Sequence, residues 1–252
     1  MPWPEGVGRV VLDSVDSTMA EAMRRAPGLA GPAWIMAREQ HAARGRRGRA
    51  WASPAGNFAA TLVLRPEGGP ERAALHSFVA ALALAEALAG VAPDADIALK
   101  WPNDVLLDGG KISGILLEST GTGQNLAHLA IGIGVNLAHA PPPEMLEPGA
   151  LRPTTLAEAT GMPPPSPEAF LDRLAPVFVR WQARLAAEGF APIRAAWMER
   201  AARLGQQVTA RTGRETLTGR FDGIDATGAL LLAMPQGTRT IPAADIHFGS
   251  SP

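Results

Sequence analysis

The pattern of apolar and polar positions changes several times along this chain, and each change predicts a different element. Short runs rich in β-branched and aromatic residues predict strands at residues 10–12, 34–38, 58–64, 97–100, 105–107, 111–118 and 126–137. Longer runs with start and stop signals predict helices at residues 18–26, 70–90, 168–188 and 192–203. Thr18 followed by Glu21 fits a capping box at the start of the first helix, and Asp108-Gly-Gly predicts a hairpin turn.

After Gly205 the pattern becomes a series of short β-type segments separated by turn residues. The segments lie at residues 208–211, 216–222, 230–233 and 239–241, which is the spacing of a small β-barrel. So small a domain has a modest core, and we expect it to pack against the larger one. The chain is therefore predicted to have a main domain at residues 1–204 and a small barrel at residues 205–252.

The composition limits the classes of function. The 252 residues are 46% hydrophobic, enough for a sizeable core, and the net charge of -1 creates no field to attract nucleic acid or an anionic membrane. The absence of cysteine excludes disulfides and thiol catalysis, and the five histidines lack metal-ligand spacing. Residues 1–6 lack signal-peptide features, and the apolar stretch 78–91 is too short to span a bilayer. We expect a cytoplasmic protein with no dedicated metal site and no membrane or DNA partner.

Four arginines lie within residues 44–49, separated by Gly45 and Gly48. Glycine lets the backbone approach a ligand closely, and guanidinium groups donate paired hydrogen bonds to phosphate or carboxylate. An isolated run of this kind is also typical of a solvated basic loop or a nonspecific nucleic-acid patch. Because Trp51 and a turn at residues 53–56 follow, the run favours a nucleotide pocket with an aromatic ring beside a phosphate cradle.

A second group of polar residues lies inside the strand-rich run 100–118. Lys111 begins a strand that otherwise looks buried, and a lysine directed into a site can neutralise a carboxylate and a phosphate together. Gly114 on the same strand indicates a close backbone approach. The alternative for Lys111 is an exposed turn position beside Asp108, and Lys100, at a strand end, fits a solvated role.

Three further groups have both a structural and a functional explanation. Asn103 and Asp104 are common turn formers, yet Asn103 can bind a ligand while Asp104 orients nearby basic groups. Ser17 and Thr18 can cap a helix or offer hydroxyl and N–H groups to a polar ligand. The glycines of the Gly-x-Gly-x-Asn run at 132–136 are common in strands, so this run alone is weak evidence for a ligand-binding site.

Taken together, these motifs resemble those of the biotin–protein ligases. The resemblance rests on Ser17-Thr18, Gln40, Arg44-Gly-Arg46-Arg-Gly-Arg49-Ala-Trp51-Ala-Ser-Pro, Lys100-Trp-Pro-Asn-Asp104, Lys111-Ile-Ser-Gly-Ile-Leu-Leu-Glu118 and Gly132-Ile-Gly-Val-Asn136. They occur in the family's order across residues 13–137, and the segment after Gly205 resembles the family's C-terminal domain. The combination is highly specific, although no single motif is.

The resemblance implies an α+β fold of the class II synthetase and biotin–lipoate ligase type. In this fold a mixed, mainly antiparallel sheet packs with helices, and a small SH3-like β-barrel follows. It also implies two chemical steps, in which biotin and ATP form biotinyl-5′-adenylate with Mg²⁺ balancing the phosphates, and a lysine of a biotin carboxyl carrier domain then displaces AMP. The biotin carboxylate and the ATP phosphate are both anions, so their approach is expected to need fixed positive charge in the site. Ligases of this type are often homodimers through an edge of the central sheet.

The same resemblance implies roles for individual residues. Lys111 and Arg46 are the expected catalytic cations. The expected biotin-binding residues are Ser17, Thr18, Met19, Gln40, Arg44, Gly45, Arg46, Lys111, Gly114 and Gly132. The expected ATP-binding residues are Arg46, Arg49, Trp51, Asn103, Lys111 and Asn136. Trp51 is expected to stack on adenine, and the arginine loop to become ordered on binding and shield the adenylate from water.

The sequence departs from the family pattern at three places. Ala43 replaces the usual glycine before the first arginine, Met19 replaces the asparagine that often follows Ser-Thr, and the run 56–58 differs from the usual Gly-x-Asn-Leu. None of these changes removes an expected catalytic charge. Each of them can alter affinity or the motion of the loop.

Three alternatives compete with a biotin ligase. A lipoate or octanoate ligase or transferase shares the catalytic architecture but needs a more extended apolar tunnel. A biotin-responsive DNA repressor is disfavoured by the near-neutral charge and by the short sequence before the first strand, which we expect to leave no room for a DNA-binding domain. A nucleotide-binding protein without turnover is expected to lose Lys111, which is present here.

Overall fold

The computed structural model describes residues 2–146 and 149–248, which form two β-sheets. The larger sheet has the strand order β1-β2-β3-β7-β6-β5-β4. Its strands are β1 Gly8–Val15, β2 Ala33–Gln40, β3 Phe58–Leu64, β4 Ile97–Lys100, β5 Asp104–Leu107, β6 Gly110–Thr122 and β7 Asn125–Val135. In this sheet β1 and β2 are parallel and the other neighbours antiparallel, so the expected mixed, mainly antiparallel sheet is confirmed.

Helices cover the two faces of this sheet unequally. The α-helices of the described residues are α1 Thr18–Arg25, α2 Pro70–Ala74, α3 His76–Ala89, α4 Leu156–Thr160, α5 Pro167–Glu188 and α6 Phe190–Met198. On one face α5 packs edge-to-face aromatic pairs onto the strands, with ring centroids 5.8 Å apart for Trp34–Phe178 and 5.1 Å apart for Phe58–Phe170. On the other face α1 packs against β2, β3 and β7. Because β3 is covered on both faces, each of its residues is buried.

The strand β7 shows which side of the sheet is left open. Ile131, Ile133 and Val135 point into the core with α3 and α5. The alternate residues Gly132 and Gly134 therefore face the other side, because side chains alternate along a strand. They line an open cavity there, beside α1.

Two predicted helices differ from the structure, one in its continuity and one in its extent. The helix predicted at residues 70–90 is two helices, because the backbone tightens where the Leu75 N–H donates to Arg72 O at 3.2 Å. Pro70–Ala89 is long and apolar enough to cross a membrane by composition, but most of it is buried in the core. The helix predicted to reach residue 203 ends at Met198. The chain beyond it pairs with β4 instead, through Leu99 N–H to Arg200 O at 2.7 Å.

The smaller sheet is antiparallel and has the order β11-β10-β9-β8-β12. Its strands are β8 Gln207–Arg211, β9 Thr216–Ile224, β10 Leu230–Met234, β11 Gly237–Ile241 and β12 Asp245–Phe248, of which β12 was not predicted. The sheet contacts the main domain, where the Trp101 indole N–H donates to Gly228 O at 2.9 Å. The predicted division between residues 204 and 205 stays a prediction and falls just before β8.

Candidate active site

A cavity of about 430 Å³ lies on the open side of the larger sheet. Its walls include the arginine loop at residues 44–49, the turn after β4, the segment 141–153 on both sides of the undescribed residues, and β12. Every residue that the sequence assigned to the site lines this cavity: Ser17, Thr18, Met19, Gln40, Arg44, Gly45, Arg46, Arg49, Trp51, Asn103, Lys111, Gly114, Gly132 and Asn136. The predicted residues therefore come together, while their individual roles stay predictions.

Glycines on the cavity floor allow two large side chains to approach the sheet. A Cβ atom at Gly132 would lie 2.8 Å from Met19 Cε, and one at Gly134 would lie 2.5 Å from Trp51 Nε1. A Cβ atom at Gly114, which pairs with Gly134 across the strands, would lie 3.2 Å from the same indole ring. These glycines make room for Met19 and Trp51, and the close approach of a ligand to Gly114 stays a prediction.

One end of the cavity is polar and uncharged. The Thr18 N–H donates to Gln40 Oε1 at 2.7 Å, and Gln40 Nε2 donates to the Ser53 hydroxyl at 3.0 Å. The Thr61 hydroxyl donates to that of Thr18 at 3.0 Å. The predicted capping box is wrong, because Ser17 occupies the N-cap position and the Thr18 hydroxyl is engaged with Thr61 rather than with the helix end.

The opposite end is charged and centres on Asp104. Its carboxylate lies 2.7 Å from Lys111 Nζ and 3.2 Å from Lys100 Nζ. The side chains of Lys100 and Asp104 are each 10% exposed, so the solvated role expected for Lys100 is wrong. Burial raises the pKa of Asp104, but Lys111 and Lys100 outweigh it and hold that pKa below its ordinary value. Burial also lowers the pKa of Lys100, against the attraction of Asp104.

The arginine loop closes on itself as a short hairpin. The Gly45 N–H donates to Arg49 O at 2.7 Å, and the Trp51 N–H donates to Ala43 O at 3.0 Å. Between them lies a single turn, Arg46–Gly48, in which Arg47 has a left-handed φ of 57°. This hairpin holds several guanidinium groups over the charged end of the cavity.

Three of the four loop arginines converge on Asp245 at the start of β12. Its carboxylate lies 2.7 Å from Arg47, 2.8 Å from Arg49 and 3.6 Å from Arg46. Burial raises the pKa of Asp245, but the arginines outweigh it and lower that pKa overall. Burial lowers the pKa of Arg46, and Asp245 opposes that shift. A carboxylate from the small domain therefore tethers the loop of the main domain.

The two asparagines assigned to the nucleotide also support the backbone. Asn103 Nδ2 donates to Ile115 O at 2.8 Å, and its Oδ1 accepts from Arg46 at 3.3 Å. Asn136 Nδ2 donates to Thr154 O at 3.2 Å. Both side chains thus have protein partners in addition to their place on the cavity wall.

Sequence reasoning missed several residues of this cavity. Thr61 is a fully buried polar residue on an otherwise apolar strand, and that contrast could have indicated it. Asp245 and Phe248 belong to the strand that was not predicted, although apolar Ile246 and Phe248 alternate with polar residues there. The Phe248 ring lies 5.7 Å from Lys100 Nζ and 5.3 Å from the Arg203 guanidinium carbon.

The residues of the cavity also bear on metal binding. In residues 2–146 and 149–248 there is no group of three His, Cys, Asp or Glu side chains suited to a metal ion. The cavity carboxylates Asp104 and Asp245 are both paired with cations. These residues therefore suit a metal ion that is bound by the phosphates of a nucleotide. They suit a metal ion coordinated by protein side chains alone less well.

Comparison with known proteins identifies relatives over the whole fold. Residues 10–136 match the Biotin/lipoate A/B protein ligase family, and residues 204–249 match the Biotin protein ligase C terminal domain. A biotin–[acetyl-CoA-carboxylase] ligase of Paracoccus denitrificans is 59% identical over 95% of this chain and 100% of its own length. The bifunctional ligase/repressor BirA of Escherichia coli (strain K12) is 35% identical over 90% of this chain and 70% of its own.

A solved structure supports the same assignment. The biotin protein ligase from Aquifex aeolicus in complex with biotin and ATP has a TM-score of 0.80 and 25% identity, and the match covers 95% of this chain and 97% of that one. The α+β fold with a mixed sheet and a small C-terminal antiparallel domain is confirmed by this match and by the C-terminal family model.

Proposed function

The chain belongs to the biotin protein ligase family, and from that premise we propose how its cavity carries out the reaction. The enzyme is an ATP-dependent ligase that activates biotin as biotinyl-5′-adenylate and transfers it to a lysine of a biotin carboxyl carrier domain. One observation carries the proposal: a single cavity has an uncharged polar end and a cationic end. These ends suit the ring and the carboxylate of one elongated acid.

In the first step a biotin carboxylate oxygen bonds to the α-phosphorus of ATP. The bond from that phosphorus to the bridging oxygen breaks, and pyrophosphate leaves with the bonding electrons. Because both reactants are anions, their approach requires fixed positive charge. Lys111 supplies it at the reacting carboxylate and phosphate, and Arg46 lies over both from the loop.

In the second step the ε-amine of the carrier lysine attacks the carbonyl carbon of the adenylate. The amine loses a proton, the bond between that carbon and the phosphate oxygen breaks, and AMP leaves. The adenylate is a reactive mixed anhydride, so it must be kept from water and from other amines until the carrier arrives. The arginine loop provides this shield when it closes over the bound intermediate.

The remaining residues divide between the two ends of the cavity. At the uncharged end, the residues that hold the ring of biotin are Ser17, Thr18, Met19, Gln40 and Gly132. At the charged end, the residues that hold the activated carboxyl group are Arg44, Gly45, Arg46, Lys111 and Gly114. The nucleotide contacts Arg46, Arg49, Trp51, Asn103, Lys111 and Asn136, with Trp51 stacked on adenine. Mg²⁺ balances the charge of the phosphates and arrives bound to ATP.

The proposal is tested by two measurements on the full chain. With ATP and Mg²⁺ present, we expect pyrophosphate release with biotin and little with lipoate. With a biotin carboxyl carrier domain added, we expect one lysine to gain the mass of one biotinyl group. Faster pyrophosphate release with lipoate than with biotin would make the chain a lipoate ligase instead.

We further propose that the enzyme acts in the cytoplasm, with neither DNA nor a membrane as a partner. The net charge of -1 supports this, since it offers no general attraction for polyanions. We also propose a homodimer that extends the sheet through β1, which is an edge strand. A monomeric mass in light scattering, with biotin and ATP bound, would contradict the dimer.

A further inference from the structure

Two side chains bound the floor of the cavity at its ends. Gly132 and Gly134 alternate along β7, so both face the same side, roughly 7 Å apart at the usual rise of a strand. Met19 covers Gly132 at one end. At the other end a Cβ atom at Gly114, which pairs with Gly134, would lie 3.9 Å from Lys111 Cε.

Met19 closes the uncharged end of this floor. It is 7% exposed and lies on the cavity wall, with its thioether tip against Gly132. Its neighbours Thr18 and Thr61 are polar and bonded to each other, so Met19 supplies an apolar surface among hydroxyl groups. Methionine has three rotatable bonds and fills irregular space, which suits a wall that must contact a ring closely.

We propose that Met19 is the specificity-determining residue that sets the length of the acid pocket. The inference rests on the proposed function, in which Lys111 fixes the carboxylate at the far end. An acid held there can extend only as far as the thioether of Met19. The pocket therefore accepts the compact bicyclic ring of biotin and rejects an acid that is longer by one methylene group.

The test compares biotin with homobiotin, whose side chain is one methylene longer. Pyrophosphate release is measured with ATP and Mg²⁺ for the wild-type chain, Met19→Ala and the size-matched control Met19→Leu. One methylene in an apolar pocket is worth roughly 10- to 200-fold in kcat/KM. We expect Met19→Ala to raise the ratio of kcat/KM for homobiotin to that for biotin about tenfold. Most of the change should lie in KM, and Met19→Leu should keep the wild-type ratio.

A second variant tests the contact between Met19 and the floor. Gly132→Ala places a Cβ atom 2.8 Å from Met19 Cε, and the nearest other atom is Thr61 Oγ1 at 3.5 Å. The flexible thioether must move into the cavity, so we expect the KM for biotin to rise in Gly132→Ala. In the double variant with Met19→Ala the clash is absent, so Gly132→Ala should raise the KM for biotin less than it does in the wild-type background.

The outcomes separate this inference from the function on which it rests. If the wild-type chain releases no pyrophosphate with biotin, the proposed function fails, and the inference with it. If the wild-type chain is active but Met19→Ala lowers kcat/KM equally for both acids, Met19 is only structural and the inference alone is overturned. Strictly additive effects of the two substitutions would also overturn it. Thermal unfolding of each variant confirms that the compared proteins are folded.

Discussion

The Lys111 ammonium lies 2.7 Å from Asp104 Oδ1, so a buried carboxylate on β5 sets the position of the expected catalytic lysine on β6. The same carboxylate holds Lys100 at 3.2 Å. Two cations and one anion leave a net positive charge facing the cavity. Asp104 therefore positions two cations on the cavity wall, which is one of the two roles that the sequence left open for it.

Replacing Lys111 should remove catalysis while the fold remains. Loss of one preorganised charge from a reacting centre typically costs about 100- to 1000-fold in rate, and we expect Lys111→Ala to lower adenylate formation by that factor. The fold should survive, because Lys111 is partly exposed and Asp104 keeps Lys100 as its partner. Pyrophosphate release and thermal unfolding, measured together, check both parts.

A matched control is available in the small domain. Arg220 forms an exposed ion pair with Asp222, away from the residues that line the cavity. Arg220→Ala should therefore leave pyrophosphate release unchanged. Wild-type release by Lys111→Ala would show that the lysine is not the reacting cation.

Asp104→Asn should destabilise the protein in a way that depends on pH. Removing one partner of a buried ion pair costs about 3–5 kcal/mol of unfolding free energy at neutral pH, since it leaves Lys100 buried without its counter-charge. Burial raises the pKa of Asp104, but the two lysines lower it further, so the folded pKa lies below the unfolded value. Such a group stabilises the fold above the unfolded carboxyl pKa of about 3.9 and loses this effect as pH falls through the folded pKa.

The expected signature is a difference between the two proteins that changes only in acid. The unfolding free energy of the wild type should exceed that of Asp104→Asn by a constant amount near neutral pH, and the gap should narrow below about pH 3.9. Urea unfolding at several pH values gives this gap. If the difference in unfolding free energy already disappeared between pH 7 and pH 5, a group other than Asp104 would control its pH dependence.

The sequence predicted the sheet better than it predicted the cavity, for a physical reason. Strand and helix patterns are local, so Phe58–Leu64 and Ile97–Lys100 were predicted with the bounds that the structure has. The cavity depends on pairs far apart in the chain. Arg47 and Asp245 are 198 residues apart, and no local pattern indicates their contact.

Thr18 illustrates how a tertiary contact overrides a prediction made from a local motif. The spacing to Glu21 fits a capping box, but the buried Thr61 hydroxyl on β3 donates to Thr18 instead. The helix then begins one residue earlier than a Thr18 cap would allow, with Ser17 at the N-cap. Lys100 is a second residue for which a tertiary contact overrides the local prediction. Its position at a strand end predicted a solvated side chain, but the carboxylate of Asp104 compensates the charge of the buried ammonium.

Arg46→Gly should release the adenylate from the closed cavity. Arg46 Nη1 donates to Asn103 Oδ1 at 3.3 Å and to Ala244 O at 3.4 Å, so it connects the loop with the main domain and the small one. Without these contacts the loop should shield the intermediate poorly. We expect lysines of an added bystander protein to become biotinylated, while the wild type labels only the carrier lysine.

The low lysine content of the chain limits the background from self-biotinylation in this measurement. Lys100 and Lys111 are its only lysines, and both are paired with Asp104. Self-labelling therefore contributes little background, and mass spectrometry of the bystander reports escaped adenylate directly. If Arg46→Gly labelled only the carrier lysine, the loop would not be the shield.

Asp245→Asn should loosen the arginine loop without unfolding the small domain. Its carboxylate pairs with Arg47 and Arg49, whose side chains are partly exposed, so the tether is worth about 1 kcal/mol. Trypsin cleaves after arginine, and its rate at a loop follows the population of the open form. We expect cleavage within residues 44–49 to become about fivefold faster, and we expect biotin with ATP to suppress this cleavage.

The control Asp222→Asn breaks an exposed pair within β9 and should leave the cleavage rate unchanged. Equal cleavage of Asp245→Asn and the wild type would mean that Asp245 does not hold the loop.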